Sequence, residues 1–102
     1  MDRIAMLTEI LTENPEDAFA RYGLAMEYSK AGDVERALAE FKTLLEKNPD
    51  YTPGYFMAAQ MLAGAGRAGE AKRMLVDGIA SARRTGNAHA QSEMTAMLES
   101  LT

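Results

Sequence analysis

Residues 21–49, RYGLAMEYSKAGDVERALAEFKTLLEKNP, decide the fold class of this 102-residue chain. The first half places apolar residues at Leu24, Ala25 and Tyr28, a rhythm that indicates an amphipathic helix with one buried stripe. Gly32-Asp33 then predicts a turn, because glycine ends a helix in the left-handed conformation and aspartate caps the next one. The buried stripe of the second helix comprises Ala37, Leu38, Phe41, Leu44 and Leu45. The stretch therefore predicts a hairpin of two helices.

The same pattern recurs 34 residues further along the chain, where Gly32 is matched by Gly66 and Pro15 by Pro49. A repeat of this length predicts stacked hairpins that share a continuous core, an α-solenoid. No segment has the alternating β-branched pattern of a strand. Asn14-Pro15 and Thr52-Pro53 are both typical of helix starts, with the first residue of each pair as the N-cap. Six helices are predicted, at about 2–13, 16–31, 33–47, 53–65, 68–85 and 89–101.

The hairpin resembles a tetratricopeptide repeat, whose pattern is W-x2-L-G-x2-Y…A-x3-F…P over about 34 residues. Arg21 departs from the pattern at the tryptophan position, and Ala25 replaces the small glycine. The second unit is degenerate, with Arg83 in place of the proline. The positions that match in the first unit are Leu24, Tyr28, Ala37, Phe41 and Pro49.

The resemblance covers nearly the whole chain and implies an all-α, right-handed superhelical stack of antiparallel helical hairpins, with about six helices. It divides a single domain, 1–102, into a half repeat at 1–15, repeats at 18–51 and 52–85, and a capping helix at 87–102. The cap repeats the apolar spacing of the previous unit 39 residues on, which predicts about five extra residues in the last hairpin. The apolar residues concerned are Met94, Met97, Leu98 and Leu101.

Composition excludes several classes of function. The net charge is −4, whereas a nucleic-acid binder usually carries a surface rich in lysine and arginine. No apolar run is long enough to span a membrane. The chain has no cysteine, so disulfides and thiolate metal sites are excluded and a reducing, cytoplasmic location is expected.

No motif indicates catalysis. The stretch GAGRAG at 64–69 has the spacing of a dinucleotide-binding loop, but it follows a predicted helix rather than a strand, so we interpret it as the hairpin turn. His89 is the only histidine and cannot build a transition-metal site by itself. We expect no catalytic residues, no metal, no cofactor and no small-molecule substrate. The protein is not expected to be an enzyme.

In the family that the sequence resembles, the first helix of each hairpin lines a concave groove that binds peptides. The large apolar side chains at these positions favour another protein or a peptide with an apolar or aromatic anchor as the partner. The alternative is that the superhelix is too short to leave the groove open, so that these side chains bury one another. Lysine and asparagine, which hold a carboxy-terminal carboxylate in some members, do not stand there. The groove positions are Phe19, Tyr22, Met26, Pro53, Phe56 and Gln60, followed by Ser92, Thr95 and Glu99 in the cap.

Two further hypotheses concern other surfaces. Helix 2–13 is apolar around much of its circumference, through Ile4, Met6, Leu7, Ile10 and Leu11, so it could pair with a second copy in a two-fold homodimer without a separate peptide ligand. Arg83 and Arg84 form a basic edge on the last hairpin that would matter only for an acidic partner.

Overall fold

The computed structural model describes residues 2–102, and in this range the chain forms six α-helices and no β-strand. Turns of three or four residues join the helices, and consecutive helices pack on one another within each half of the chain: α1 on α2 and α2 on α3, then α4 on α5 and α5 on α6. The chain divides into two compact units between Asn48 and Pro49. The predicted all-α class of helical hairpins is confirmed. The helices are α1 (Arg3–Glu13), α2 (Ala18–Lys30), α3 (Val34–Lys47), α4 (Thr52–Gly64), α5 (Ala68–Arg84) and α6 (Ala88–Ser100).

The turn between α2 and α3 is built as the sequence predicts. Gly32 has a φ of +79°, which suits glycine because it has no Cβ to clash with the carbonyl. Asp33 accepts a hydrogen bond from the Arg36 N–H at 3.1 Å, which satisfies one of the orphan donors of the first turn of α3. Gly66, in the stretch that resembles a dinucleotide-binding loop, occupies the equivalent turn between α4 and α5 with a φ of +77°.

Two helix starts differ from the sequence prediction. Asn14 is the C-cap of α1, since its N–H donates to the Ile10 carbonyl, and Asp17 is the N-cap of α2, accepting from the Ala20 N–H at 2.9 Å. Thr52 is the first residue of α4 rather than its cap. Its hydroxyl lies 2.8 Å from the Ser81 hydroxyl in a buried pair, so it joins α4 to α5 instead of capping its own helix.

Arg21 replaces the tryptophan of the family pattern and still has a structural role. Its guanidinium donates to the Pro15 carbonyl at 3.2 Å and pairs with the Glu40 carboxylate at 2.7 Å. Tyr55, at the equivalent position of the second hairpin, donates its hydroxyl to the Pro49 carbonyl at 2.7 Å. Both side chains therefore satisfy the carbonyl of the repeat proline, which explains how one pattern accommodates two chemically different residues.

The last helix has a different register from the predicted one. α6 begins at Ala88, 36 residues after Thr52 at the start of α4, and not 39. Met94 is therefore the residue that inserts into the core and is fully buried, while Met97, Leu98 and Leu101 are only half-buried. The extra length lies mainly in α5, which has 17 residues where α3 has 14.

Each unit has its own apolar core. In the first, Leu7 and Leu11 of α1 pack with Ala20 and Leu24 of α2, while the predicted stripe of α3 is buried and Phe41 is completely inaccessible. In the second, Gly78 lets α5 lie close to α4, since a Cβ at this position would be 2.6 Å from the Tyr55 Cβ. No helix within residues 2–102 combines the length and the apolar character that crossing a membrane requires.

Candidate functional site

The exposed face of α2 carries the first three predicted groove residues. Phe19, Tyr22 and Met26 are spaced three and four residues apart, so they lie along one side of the helix. Phe19 is 77% exposed, whereas Tyr22 and Met26 are half-buried. A solvated phenylalanine with two partly accessible neighbours forms an apolar surface that is stabilised when a partner covers it.

Burial raises the pKa of the Tyr22 phenol above its ordinary value of 10.0. The direction follows from desolvation, since a phenolate loses more hydration free energy than a phenol in a partly buried position. Tyr22 therefore keeps its proton throughout the physiological pH range and presents an aromatic ring with a neutral hydroxyl.

A cleft of about 220 Å³ lies in the second unit, between the first turns of α4 and α6. Phe56 and the fully buried Met94 contribute apolar surface, and the His89 Nε2 lies 3.0 Å from the Glu93 Oε1 at the rim. The cleft brings together the predicted groove residues Pro53 and Phe56. Gln60 is exposed on α4 but is not part of the lining. The complete lining is Thr52, Pro53, Phe56, Asn87, His89, Ala90, Glu93 and Met94.

The predicted cap residues lie elsewhere. Ser92, Thr95 and Glu99 line a shallow groove of about 570 Å³ that runs along α6, and none of them lines the cleft. His89 and Glu93, which do line it, were not predicted as site residues. The local signal that could have placed them is Asn87, whose side chain accepts from the Ala90 N–H at 3.0 Å and sets the start of α6.

The predicted basic edge consists of two arginines in different environments. Arg84 Nε donates to the Asp50 carboxylate at 2.8 Å, and its Nη2 donates to the Pro49 carbonyl at 3.2 Å. These bonds hold the end of α5 against the turn that precedes α4. Arg83 is exposed at the neighbouring position. Among residues 2–102 there is no group of three histidine, cysteine, aspartate or glutamate side chains that could hold a metal ion.

Sequence comparison agrees with the hairpin geometry. The family model of the tetratricopeptide repeat matches residues 4–57 and, in a second register, residues 28–93. The chain belongs to the tetratricopeptide repeat family. The two matches together extend from α1 into the first half of α6, so they cover α2 to α5 completely.

Relatives of similar length share this repeat. A tetratricopeptide-repeat-containing protein of Pseudomonas aeruginosa is 32% identical over 95 residues, which cover 93% of this chain and 90% of that protein. The solution structure of a tetratricopeptide repeat domain protein from Salinibacter ruber is 34% identical, with a TM-score of 0.79 over 86% of this chain and 89% of that one.

A more distant structure, of PcrH in complex with the chaperone binding region of PopD, has a TM-score of 0.88 at 19% identity. The match covers 96% of this chain and 74% of that one. At this identity the similarity concerns the tetratricopeptide repeat fold alone.

Proposed function

We propose that this protein is a non-catalytic module that binds a segment of another protein through apolar surfaces on the first helix of its hairpins. The observation that carries the proposal is the exposure of Phe19, of which 77% is accessible, beside Tyr22 and Met26. Aromatic side chains in such positions dominate the energetics of interfaces, because they bury a large area at a small entropic cost. The absence of cysteine fits a module that acts in the reducing cytoplasm.

The cleft beside Phe56 supports the same function in the second unit. Its volume of about 220 Å³ is smaller than the pockets that hold whole small molecules, and it suits one apolar side chain of a partner. Phe56 and Met94 would contact that side chain, while the His89–Glu93 pair at the rim would meet polar groups on the partner backbone. The proposed ligand is a protein segment with apolar anchor residues, bound as a helix or as an extended strand.

Substitution of the anchors tests this proposal. Tyr22→Ala with Phe56→Ala is expected to weaken binding of the native partner at least roughly 30-fold for each hot-spot residue, the equivalent of about 2 kcal/mol. Tyr22 and Phe56 are half-buried, so their removal could also lower stability. Phe19→Ser is therefore a second variant, because the Phe19 side chain is largely exposed and its removal leaves the core unchanged. The partner is captured from a lysate of the source organism, identified by mass spectrometry, and its affinity is measured by titration calorimetry.

Val76→Ser is the matched control, since Val76 is also a large apolar side chain, 56% exposed, but lies on α5. It should bind like the wild type. Arg83→Ala with Arg84→Ala should have an effect only with an acidic partner, and one that weakens as salt rises. The proposal is contradicted if both anchor variants bind the partner as tightly as the wild type while the double arginine variant does not bind it. That result would place the site at the basic edge.

Self-assembly without a separate ligand is the second candidate function, and the exposure of α1 favours it. Met6 is 42% exposed and Ile10 is 38% exposed, one helical turn apart on the same face. A two-fold homodimer through this helix would bury both. If this dimer forms, the mass measured by sedimentation equilibrium should rise from that of one chain to that of two chains as the protein concentration increases.

A further inference from the structure

The exposed face of α1 corresponds to a face that the other second helices of the hairpins bury. Positions 34 residues apart are equivalent, so Arg3 and Ile10 correspond to Ala37 and Leu44 of α3. Ala37 and Leu44 are completely inaccessible, whereas the Arg3 side chain is 63% exposed and Ile10 is 38% exposed. Within residues 2–102, α1 therefore has the surface of a second hairpin helix without a first helix covering it.

The exposed face of α6 shows the opposite half of the same pattern. With the observed spacing of 36 residues, Ala88 and Thr95 correspond to Thr52 and Ala59 of α4. Thr52 is 5% exposed and Ala59 is inaccessible, whereas Ala88 is exposed and Thr95 is half-buried. These positions line the 570 Å³ groove along α6, which therefore has the surface of a first hairpin helix with no second helix against it among the residues that the structure describes.

We propose that α6 of one copy of this chain and α1 of another form an intermolecular hairpin. The two hairpins within the chain are the template for its contacts. Thr52 meets Ser81, a Cβ on Gly78 would meet Tyr55, and Arg21 pairs with Glu40. Transferred to the equivalent positions, these contacts place Ala88 opposite Glu13, and Gln91 opposite both Ile10 and Met6.

Size and charge agree with this pairing. The large side chains of Met6 and Ile10 would occupy the groove lined by the small Ala88, Ser92 and Thr95. In an antiparallel arrangement Glu13 would lie at the amino terminus of α6, where the helix dipole favours a negative charge. Arg3 would lie near Glu99 at the other end, which provides an opposite charge for a side chain that now pairs with Glu27 at the surface.

The contact is heterologous, because it joins different surfaces of the two copies. It accounts for both exposed faces, whereas a two-fold α1–α1 dimer leaves α6 uncovered. A heterologous contact that does not close into a ring adds copies end to end. The association uses a different surface from the α2 face and the cleft, so it stands independently of the peptide-binding proposal.

Mixing two blocked variants tests the proposal. Ile10→Arg blocks α1, and Thr95→Arg places a bulky charge in the groove along α6 that Met6 and Ile10 would occupy. The wild type should exceed the mass of two chains as its concentration rises, and each variant alone should stay at one chain, 11.1 kDa. An equimolar mixture should form a heterodimer of two chains and nothing larger, since one intact α1 and one intact α6 remain. Sedimentation equilibrium measures these masses.

Ala5→Arg and Ser100→Arg are matched controls, since each adds the same charge to the same helix at an exposed position, and Ser100 does not line the groove. Both should associate like the wild type. Ala88→Glu, which faces Glu13, replaces Thr95→Arg if circular dichroism shows that the latter does not fold. A wild type that remains monomeric up to about 1 mM, where even a weak contact with a dissociation constant of that size would be substantially formed, overturns the proposal. The proposal is also overturned if the Thr95→Arg variant forms a dimer by itself, because that result would indicate a two-fold contact between two α1 helices.

Discussion

Phe41→Ala is expected to lower the free energy of unfolding by about 3–5 kcal/mol. Phe41 is completely inaccessible on α3, so its removal loses the burial of an aromatic ring and leaves a cavity that the surrounding helices cannot fill. Domains of this size are typically stable by roughly 5–15 kcal/mol, so the variant would lose a large share of its stability. Urea titration followed by far-UV circular dichroism measures the change.

Two further substitutions on α3 separate cavity formation from other causes. Leu75 occupies the equivalent position of α5 and is also completely inaccessible, so a leucine fits this position of the repeat. Phe41→Leu should therefore lose less than half as much stability as Phe41→Ala. Lys42→Ala, at the exposed neighbouring position, should change stability by less than about 0.5 kcal/mol. A loss below about 1 kcal/mol for Phe41→Ala would contradict the assignment of this residue to the core.

The helices of the first hairpin could be predicted because their signals are local. The apolar spacing in α3 and the Gly32-Asp33 turn both depend on residues within a few positions of one another, and both are confirmed. The start of α2 was predicted wrongly because Asn14 and Asp17 are equally good N-caps by residue type. The bond from the Asn14 N–H to the Ile10 carbonyl assigns Asn14 to the end of α1, and this bond cannot be deduced from composition.

The cleft beside α6 could not be predicted in full, because it is formed by contacts between residues that are far apart in the sequence. Thr52 was expected to cap α4, but its partner Ser81 lies 29 residues away in sequence. Met94 and Met97 suit either of two helix registers, and the contact between Gly78 and Met94 selects one of them. The cleft, with His89 and Glu93 at its rim, depends on that register, so the sequence predicted Pro53 and Phe56 as site residues but not His89 and Glu93.

That contact leads to the second large expected effect: Gly78→Val should destabilise the protein by about 3 kcal/mol or more. A Cβ at position 78 would lie 2.6 Å from the Tyr55 Cβ and 2.6 Å from the Met94 Sδ. The thioether end of Met94 can rotate away, but the Tyr55 Cβ is attached directly to the backbone of α4. The two helices must therefore separate, and the contacts between them are lost along their length.

Gly69 provides the matched comparison, since it lies on the same helix and a Cβ there would meet nothing within 4 Å. Gly69→Ala should stabilise the protein by up to about 1 kcal/mol, because alanine restricts the unfolded chain and favours the helix. Gly78→Ala carries the same intrinsic benefit, so any loss of stability in that variant measures the cost of the close approach. Thermal melts of the glycine variants give this difference directly. A Gly78→Val protein that melts at the wild-type temperature would show that α4 and α5 are not in close contact at Gly78, and would remove the reason for the observed register of α6.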